Sequence, residues 1–438
     1  MIKITDIVDF NPSRKIARGT KTSFIEMAAL PTGGRDVIQI DKKEFKGGGA
    51  KFQNGDTLFA RITPCLENGK TAKVSNLESD EVAFGSTEFI GMAAIDANYD
   101  EDFVYYLARL PEFRQYAASR MEGTSGRQRV AWQSLAEFNF NFPEKELRKT
   151  AASSLKVLDD KIAINQRINQ TLEAMAQAMF KSWFVDSEPT RAKMAALDAG
   201  GAEEDVTLAA MTAISGKSSE ALAILKTTNP ESYADLHTTA SLFPSYLVES
   251  ELGEIPEGWR SGKIEDVLEL PYGKALKKTD RKEGNVPVYG SGGINGYHNE
   301  PLVSGPGIIV GRKGTVGSIH WENRGFFPID TVFYVIPKKG FSLSYSYQLL
   351  KIQGLENMNT DAAVPGLNRN NVYRLGVTLP SLEVISAFNK AVDLLYDRVS
   401  ILTEETDTLT QLRDSLLPKL LSGEISVDAA ASQTTEAV

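Results

Sequence analysis

The chain is 438 residues long, 42% hydrophobic and 24% charged, with a net charge of −9, three histidines and a single cysteine, Cys65. That length suits two or three domains with real cores, and the cysteine and histidine counts exclude an internal disulfide and argue against a structural zinc site. No apolar run approaches the ~20 residues of a membrane span.

The opening MIKITDIVDFNPSRK has no apolar signal-peptide core, so a cytoplasmic location is expected. Short β-prone runs follow: KITDIV at 3–8, GDTLFARI at 55–62, FGSTEFI at 84–90 and SLAEFNFNFP at 134–143. Residues 1–143 therefore read as a β-rich domain, and residues 1–150 hold 21 basic and 21 acidic side chains. From 144 to 186 the pattern is that of one long helix. Positions 155, 158, 162, 165, 169, 172, 176, 179 and 183 alternate by three and four. They hold Leu, Leu, Ile, Asn, Asn, Leu, Ala, Met and Trp, a seam of 3.5-residue period. Asn165 and Asn169 either fix the register of that seam or turn to solvent. Residues 187–256 are Ala-rich and acidic, with 4 basic against 11 acidic side chains. They read as a linker with one helical insertion, from Thr207 to Lys226.

A second β-rich domain is expected over 257–380, where residues 258–380 carry 15 basic and 10 acidic side chains. Its centre, VYGSGGINGYHNEPLVSGPGIIVGRKGTVGSIHW at 288–321, holds nine glycines and two of the three histidines. A phosphate-cradling loop is the obvious question, and the strict templates fail. Gly290 and Gly292 are followed by Asn295 where a dinucleotide fingerprint needs glycine, and Gly311-Arg312-Lys313-Gly314 is not a P-loop. The surrounding runs at 307–310, 317–321 and 331–335 are β-prone, so the glycines read as hairpins and bulges. That leaves open what Arg312, Lys313, His298 and His320 face. A second long helix spans 381–425, with Val392, Leu395, Val399, Leu402, Thr406, Leu409, Arg413, Leu416 and Leu420 in its seam, and a flexible tail is expected over 426–438. Two matched seams suit an antiparallel pair within one chain; the plainer reading is two amphipathic helices, each packed on its own domain.

The chain reads as a doubled unit. SLAEFNFNFP (134–143) lies on NVYRLGVTLP (371–380) at an offset of 237, which continues into the helices, with Leu158 on Leu395 and Met179 on Leu416. KITDIV (3–8) lies on KIEDVL (263–268), GDTLFARI (55–62) on PGIIVGRK (306–313), and FGSTEFI (84–90) on FPIDTVF (327–333). The fold expected is α+β: two β-rich domains, each followed by a long helix, related by a pseudo-two-fold repeat.

The doubled unit carries FKSWFVDSEPTRAK (180–193), ELGEIPEGW (251–259), VYGSGGINGYHN (288–299), GRKGTVG (311–317) and LLPKLLSGEI (416–425). On these stretches, in this order, the chain resembles the specificity subunit of type I restriction–modification systems. The resemblance implies two target-recognition domains that read the halves of a bipartite double-stranded DNA target. It implies an antiparallel coiled-coil spacer between them and no catalysis in this chain. Two methyltransferase subunits would bind S-adenosylmethionine and methylate adenine. Two restriction subunits, using ATP and Mg, can join them in phage defence. No cofactor is expected in this chain, which has neither a Walker A nor an amino-methyltransferase motif: Asn11-Pro12 is followed by Ser13-Arg14. The length of 187–250 departs from the family's usual connector.

Within that frame the glycine-rich stretch reads as a DNA-facing β platform. Glycine lets backbone approach the duplex, and Arg and Lys neutralise phosphates or pair with guanine edges. The candidates are Arg61, Thr63, Lys70, Arg127 and Arg129 in the first unit. In the second they are Lys274, Lys277, Lys278, Arg312, Lys313, Asn368, Arg369 and Asn370. Each also reads as an ordinary surface or turn residue. Base-reading residues are expected in stretches peculiar to the chain, such as 20–50 and 274–286. Phe180, Trp183, Phe184, Leu417 and Leu421 are expected to dock methyltransferase subunits, or else to cap the internal helix pair. The competing readings are a self-contained DNA-modifying enzyme, for which no catalytic or metal-binding constellation is visible, and a coiled-coil adaptor that binds proteins.

Overall fold

The computed structural model describes residues 2–124, 126–358 and 366–425, so the tail expected over 426–438 lies outside the described residues. One unit comprises the residues up to Arg167 together with those from Leu402 on; the other is Ile168–Ile401.

In the first unit, strands Val8–Phe10, Phe89–Ala94, Thr57–Ala60 and Thr71–Lys73 form one antiparallel sheet in that order. Asp41–Glu44, Lys21–Ile25, Ala83–Gly85 and Lys51–Phe52 form a second. Thr57–Ala60 is buried at all four positions, as a strand covered on both faces must be. Helix Ala97–Arg109 begins on Asp96, whose side chain accepts from the backbone N–H of Asn98. It buries Phe103, Val104, Tyr106 and Leu107 in the core that the long helices also enter.

The second unit repeats this plan in the same register. Val8 pairs with Ala94, and Leu268 with Pro337. Ala60 pairs with Phe89, and Gly311 with Val332. Phe24 pairs in parallel with Phe84, and Val288 with Phe327. Ile62 bridges Arg129, and Lys313 bridges Gly366. The correspondences read from the sequence are therefore the correspondences of the strand ladders. The β-prone runs of the glycine-rich stretch are strands Gly307–Gly311, Ile319–Glu322 and Val332–Tyr334. Several of its glycines serve close packing within the chain: a Cβ on Gly311 would run into the Thr315 carbonyl oxygen and one on Gly317 into the Leu355 backbone, whereas Gly290, Gly292 and Gly293 have room for one. His298 is buried, and its Nδ1 accepts from the Lys282 backbone N–H at 3.1 Å.

The long helices are Lys145–Phe180, continued by a wider π-type turn at Lys181–Val185, and Leu382–Ser422. Their predicted seams are the faces they bury. Within the first unit they pair antiparallel: Asp159 meets Arg413 and Asn165 meets Glu405. Within the second, Asn169 meets Val399 and Phe180 meets Phe388, also antiparallel. Asn165 is fully buried and donates Nδ2–H to Glu405 Oε2 at 2.9 Å, so it belongs to the seam and not to solvent. Arg413, 1% exposed, is the seam's one arginine. It donates from Nη1 to Asp159 Oδ1 at 2.6 Å and to the Gly33 carbonyl at 3.1 Å, while the Tyr106 hydroxyl donates to Asp159 Oδ2 at 2.7 Å. Burial and the Asp159 carboxylate push the Tyr106 hydroxyl's pKa well above its ordinary value.

The acidic stretch differs from the single helix expected over Thr207–Lys226. It forms four: Glu188–Asp198, Glu203–Ser215, Ser219–Thr228 and Pro230–Ser241. Gly216, at φ +65, ends the second in the left-handed conformation, and Ser218 caps the third by accepting from the Ala221 N–H. Ala210, Met211, Leu222 and Ala240 give the last three of these helices a small core of their own.

Arg413→Ala should destabilise the chain by about 3–5 kcal/mol, because it strands the buried Asp159 carboxylate. The double change Asp159→Leu with Arg413→Leu should cost much less. Denaturant unfolding of both variants measures the difference; equal losses would mean that the ion pair itself is not what matters.

Candidate nucleic-acid interface

In the second unit the expected residues converge on an unexpected one. Tyr272 is 48% exposed, and its ring packs on Phe333 with centroids 5.0 Å apart. The guanidinium of Arg312 lies 4.9 Å from the Tyr272 ring centroid and that of Arg369 lies 4.8 Å from it. Arg369 is also 5.7 Å from the Tyr373 ring. Both arginines are tethered at one end: Arg312 Nη1 donates to the Asp330 carbonyl at 2.9 Å, and Arg369 Nη1 to the Leu270 carbonyl at 3.5 Å. A guanidinium stacked on a ring keeps its plane fixed and its edge available for bidentate hydrogen bonds. Lys274, Lys277, Lys278 and Lys313 are exposed. Asn368 has a local task, since its side chain accepts from the Asn370 N–H and caps helix Arg369–Tyr373; Asn370 is exposed.

The first unit has a different cluster. Asn11, Pro12, Ser13, Arg14, Lys51 and Arg61 line a polar pocket of 430 Å³. The Arg61 Nε is buried and unpartnered in the chain. Arg14 is tied to the buried Asp56, with Nη2 to Oδ1 at 2.8 Å, and burial lowers its pKa. Three other candidates are engaged inside the chain. Lys70 Nζ donates to the Met27 carbonyl at 2.9 Å, and the Thr63 hydroxyl to the Gln128 carbonyl at 3.3 Å. Arg129 pairs with Glu88, Nη2 to Oε1 at 2.6 Å, and this hydrogen bond holds the Glu88 carboxyl below its ordinary range. Arg129 therefore brings little net charge to the surface. Arg127 remains exposed.

Sequence reasoning missed Tyr272, Lys51 and Arg14. Tyr272 was legible in principle: the offset that lays KITDIV on KIEDVL places it opposite Pro12, an aromatic where the first unit has none.

The five residues expected to dock a partner are corrected. Phe180, Trp183, Phe184, Leu417 and Leu421 are 1%, 2%, 7%, 3% and 0% exposed. The three aromatics pack with Phe388, Tyr345, Phe243 and Trp259 in the second unit's core. Leu417 and Leu421 sit in the first unit's core. Burial in the chain's own cores takes these side chains away from any partner, and it exceeds a capping of the helix pair, since Tyr345, Phe243 and Trp259 lie outside the two long helices.

A family model described as the type I restriction modification DNA specificity domain matches residues 2–174 and 256–411. The HindI type I restriction enzyme specificity subunit of Haemophilus influenzae is 31% identical over 421 residues, which cover 87% of this chain and 89% of that one. The chain belongs to the type I restriction–modification DNA specificity family. The EcoAI specificity subunit of Escherichia coli is 31% identical over 131 residues, 29% of this chain and 22% of that one. A solved structure of a type I restriction–modification S subunit from M. genitalium aligns over 96% of this chain and 95% of that one, at 17% identity and a TM-score of 0.44. The family's domain model leaves 175–255 unmatched, the stretch that contains the four short helices.

Replacing Arg312 and Lys313 together by Ala should flatten the slope of log affinity for DNA against log salt by about one or two. Removing Glu88 and Arg129 together, Glu88→Ala with Arg129→Ala, should leave that slope unchanged, since the pair has no net charge. Titrations at several salt concentrations read both. Separately, Trp183→Ala should destabilise the chain by about 3–5 kcal/mol, seen as a lower melting temperature before any partner is added. An unchanged melting temperature would restore the docking role.

Proposed function

We propose that this chain is the DNA-reading, non-catalytic subunit of a type I restriction–modification complex, and that its two β platforms each read one half of a bipartite double-stranded target. The observation that carries this reading is one β platform built twice in one register, each copy with a cationic cluster beside its equivalent arginine, Arg61 or Arg312. Two copies with different neighbouring side chains suit two different half-sites. The 15 basic against 10 acidic side chains over 258–380 favour a polyanion there, although the whole chain is acidic.

In this reading the chain recruits two methyltransferase subunits, which supply S-adenosylmethionine and methylate adenine. Two restriction subunits with ATP and Mg complete a phage-defence assembly. The chain alone supplies position and no chemistry, so a purified preparation should not methylate DNA until a methyltransferase partner is added. The exposed apolar side chains of the long helices, among them Val157, Ile164, Met175, Leu394 and Ile401, are better placed for docking than the buried residues first considered.

The long helices then set the unread gap. A four-residue insertion near Arg167 adds about 6 Å, one helical turn, and a coiled coil can absorb it as a stutter. DNA rises about 3.4 Å per base pair, so the gap should lengthen by roughly one or two base pairs with both half-sites unchanged. Mapping methylated adenines in cells carrying the insertion variant tests this. An active variant with altered half-sites, or with the original gap, would sink it.

A further inference from the structure

The duplication lets one unit serve as the control for the other. Arg61 and Arg312 occupy one structural position. Their backbone N–H groups donate to the carbonyls of Glu88 and Thr331 at 3.0 and 2.9 Å, and their carbonyls accept from Val130 and Leu367 at 3.0 and 2.8 Å. Pro12 and Tyr272 are likewise equivalent, each following a residue, Asn11 or Pro271, that pairs with Gly91 or Tyr334. Trp132 and Arg369 each open a short helix two residues beyond the matched hydrogen bond, Trp132–Leu135 and Arg369–Tyr373. Around one fixed arginine, the first unit sets proline and tryptophan, and the second sets tyrosine and arginine.

A contact that both halves of a bipartite target require cannot carry their difference, and phosphates are the same in both. A contact that tells the halves apart has to change between the units. On the reading given above, that the chain reads DNA, we infer that Arg61 and Arg312 hold backbone phosphates, while Arg369 in the second unit reads a guanine edge and makes its half-site differ from the first. The chemistry fits each role. The Arg369 guanidinium lies 4.8 Å from the Tyr272 ring centroid and 5.7 Å from that of Tyr373, with one nitrogen on the Leu270 carbonyl. Its plane is thereby held, and because Nε is buried the two-pronged hydrogen bond to guanine O6 and N7 falls to the end-on pair Nη1 and Nη2, each of which has two hydrogens. Trp132, 36% exposed and stacked on Phe10 at 6.3 Å, offers an apolar face and no such fork. The base-reading position thus falls at 369, outside the stretches 20–50 and 274–286 that the sequence pointed to.

The test uses the chain in complex with its methyltransferase partner. Wild type, Arg369→Ala, Arg369→Lys and Arg312→Ala are compared by mapping methylated adenines in a host and by titrating cognate and scrambled duplexes. Arg369→Ala should make one G·C position of one half-site degenerate, leaving the gap and the other half-site intact. Affinity for the cognate duplex should fall about tenfold or more, with scrambled duplex unchanged. Arg369→Lys keeps the charge but replaces the planar fork by a flexible ammonium, so it should relax the same position in part, and it carries the test if the alanine variant does not assemble. Arg312→Ala should weaken cognate and scrambled duplex by the same factor without changing the motif. An unchanged motif in both Arg369 variants, or a changed one in Arg312→Ala, overturns the assignment. A wild-type complex that binds no DNA would instead overturn the DNA-reading function itself.

Discussion

The seam between the two long helices is the constraint on which the rest of the molecule depends. In the first unit it is closed by Arg413 on Asp159, with Tyr106 and the Gly33 carbonyl completing the buried polar cluster. In the second it is closed by Phe388 against Phe180, Trp183 and Phe184. The two closures differ in kind. A buried ion pair is a poor source of net stability but penalises any register that leaves one partner alone, whereas an aromatic cluster contributes area and dispersion. The polar closure thus favours specificity of pairing and the aromatic one stability. Each β platform is fastened to this seam: Arg148 on the first helix holds the buried Asp100 of Ala97–Arg109 through two hydrogen bonds at 2.6 and 2.9 Å. In the second unit the Gln348 side chain donates to the Tyr396 hydroxyl at 2.8 Å.

Duplication explains how one chain presents two related but unequal surfaces. Backbone hydrogen bonds are indifferent to side chains, so the ladders keep one register in both copies while surface positions change freely. Arg129 with Glu88 in the first unit stands where the second has Gly366 and Thr331, so a neutral ion pair in one copy is simply absent from the other. Charge is distributed to match. The net negative charge of the chain resides largely in the inserted helices and the second long helix, and the second β domain keeps a basic balance.

Much of this architecture was legible in the sequence because it is periodic. The 3.5-residue seams named the buried positions of both helices, Arg413 among them, but not Asp159 as the partner its charge requires. The repeat offsets named the strand correspondences. What stayed hidden depends on contacts between residues far apart in sequence. Nothing near Trp183 or Leu421 said which core would cover it, so an apolar exposed face and an apolar buried face looked alike. Lys70 and Arg129 read as free cations because their partners, the Met27 carbonyl and Glu88, lie some forty residues away. The stack on Tyr272 joins it to Arg312, about forty positions on, and to Arg369, about a hundred positions on. The inserted helices are hard to separate in the sequence for a local reason: Gly216 and Ser218, a stop followed by a start, sit within an Ala-rich run that reads as one continuous helix.

The central claim is that this one chain dictates a two-part DNA sequence to enzymes that cannot choose it themselves. The most direct measurement is the adenine methylation pattern of a methylation-free host given a methyltransferase subunit with and without this chain. The account predicts methylation only when both are present, at one bipartite motif with two different half-sites and a gap of constant length. Methylation without the chain, or at a single uninterrupted motif, would contradict it.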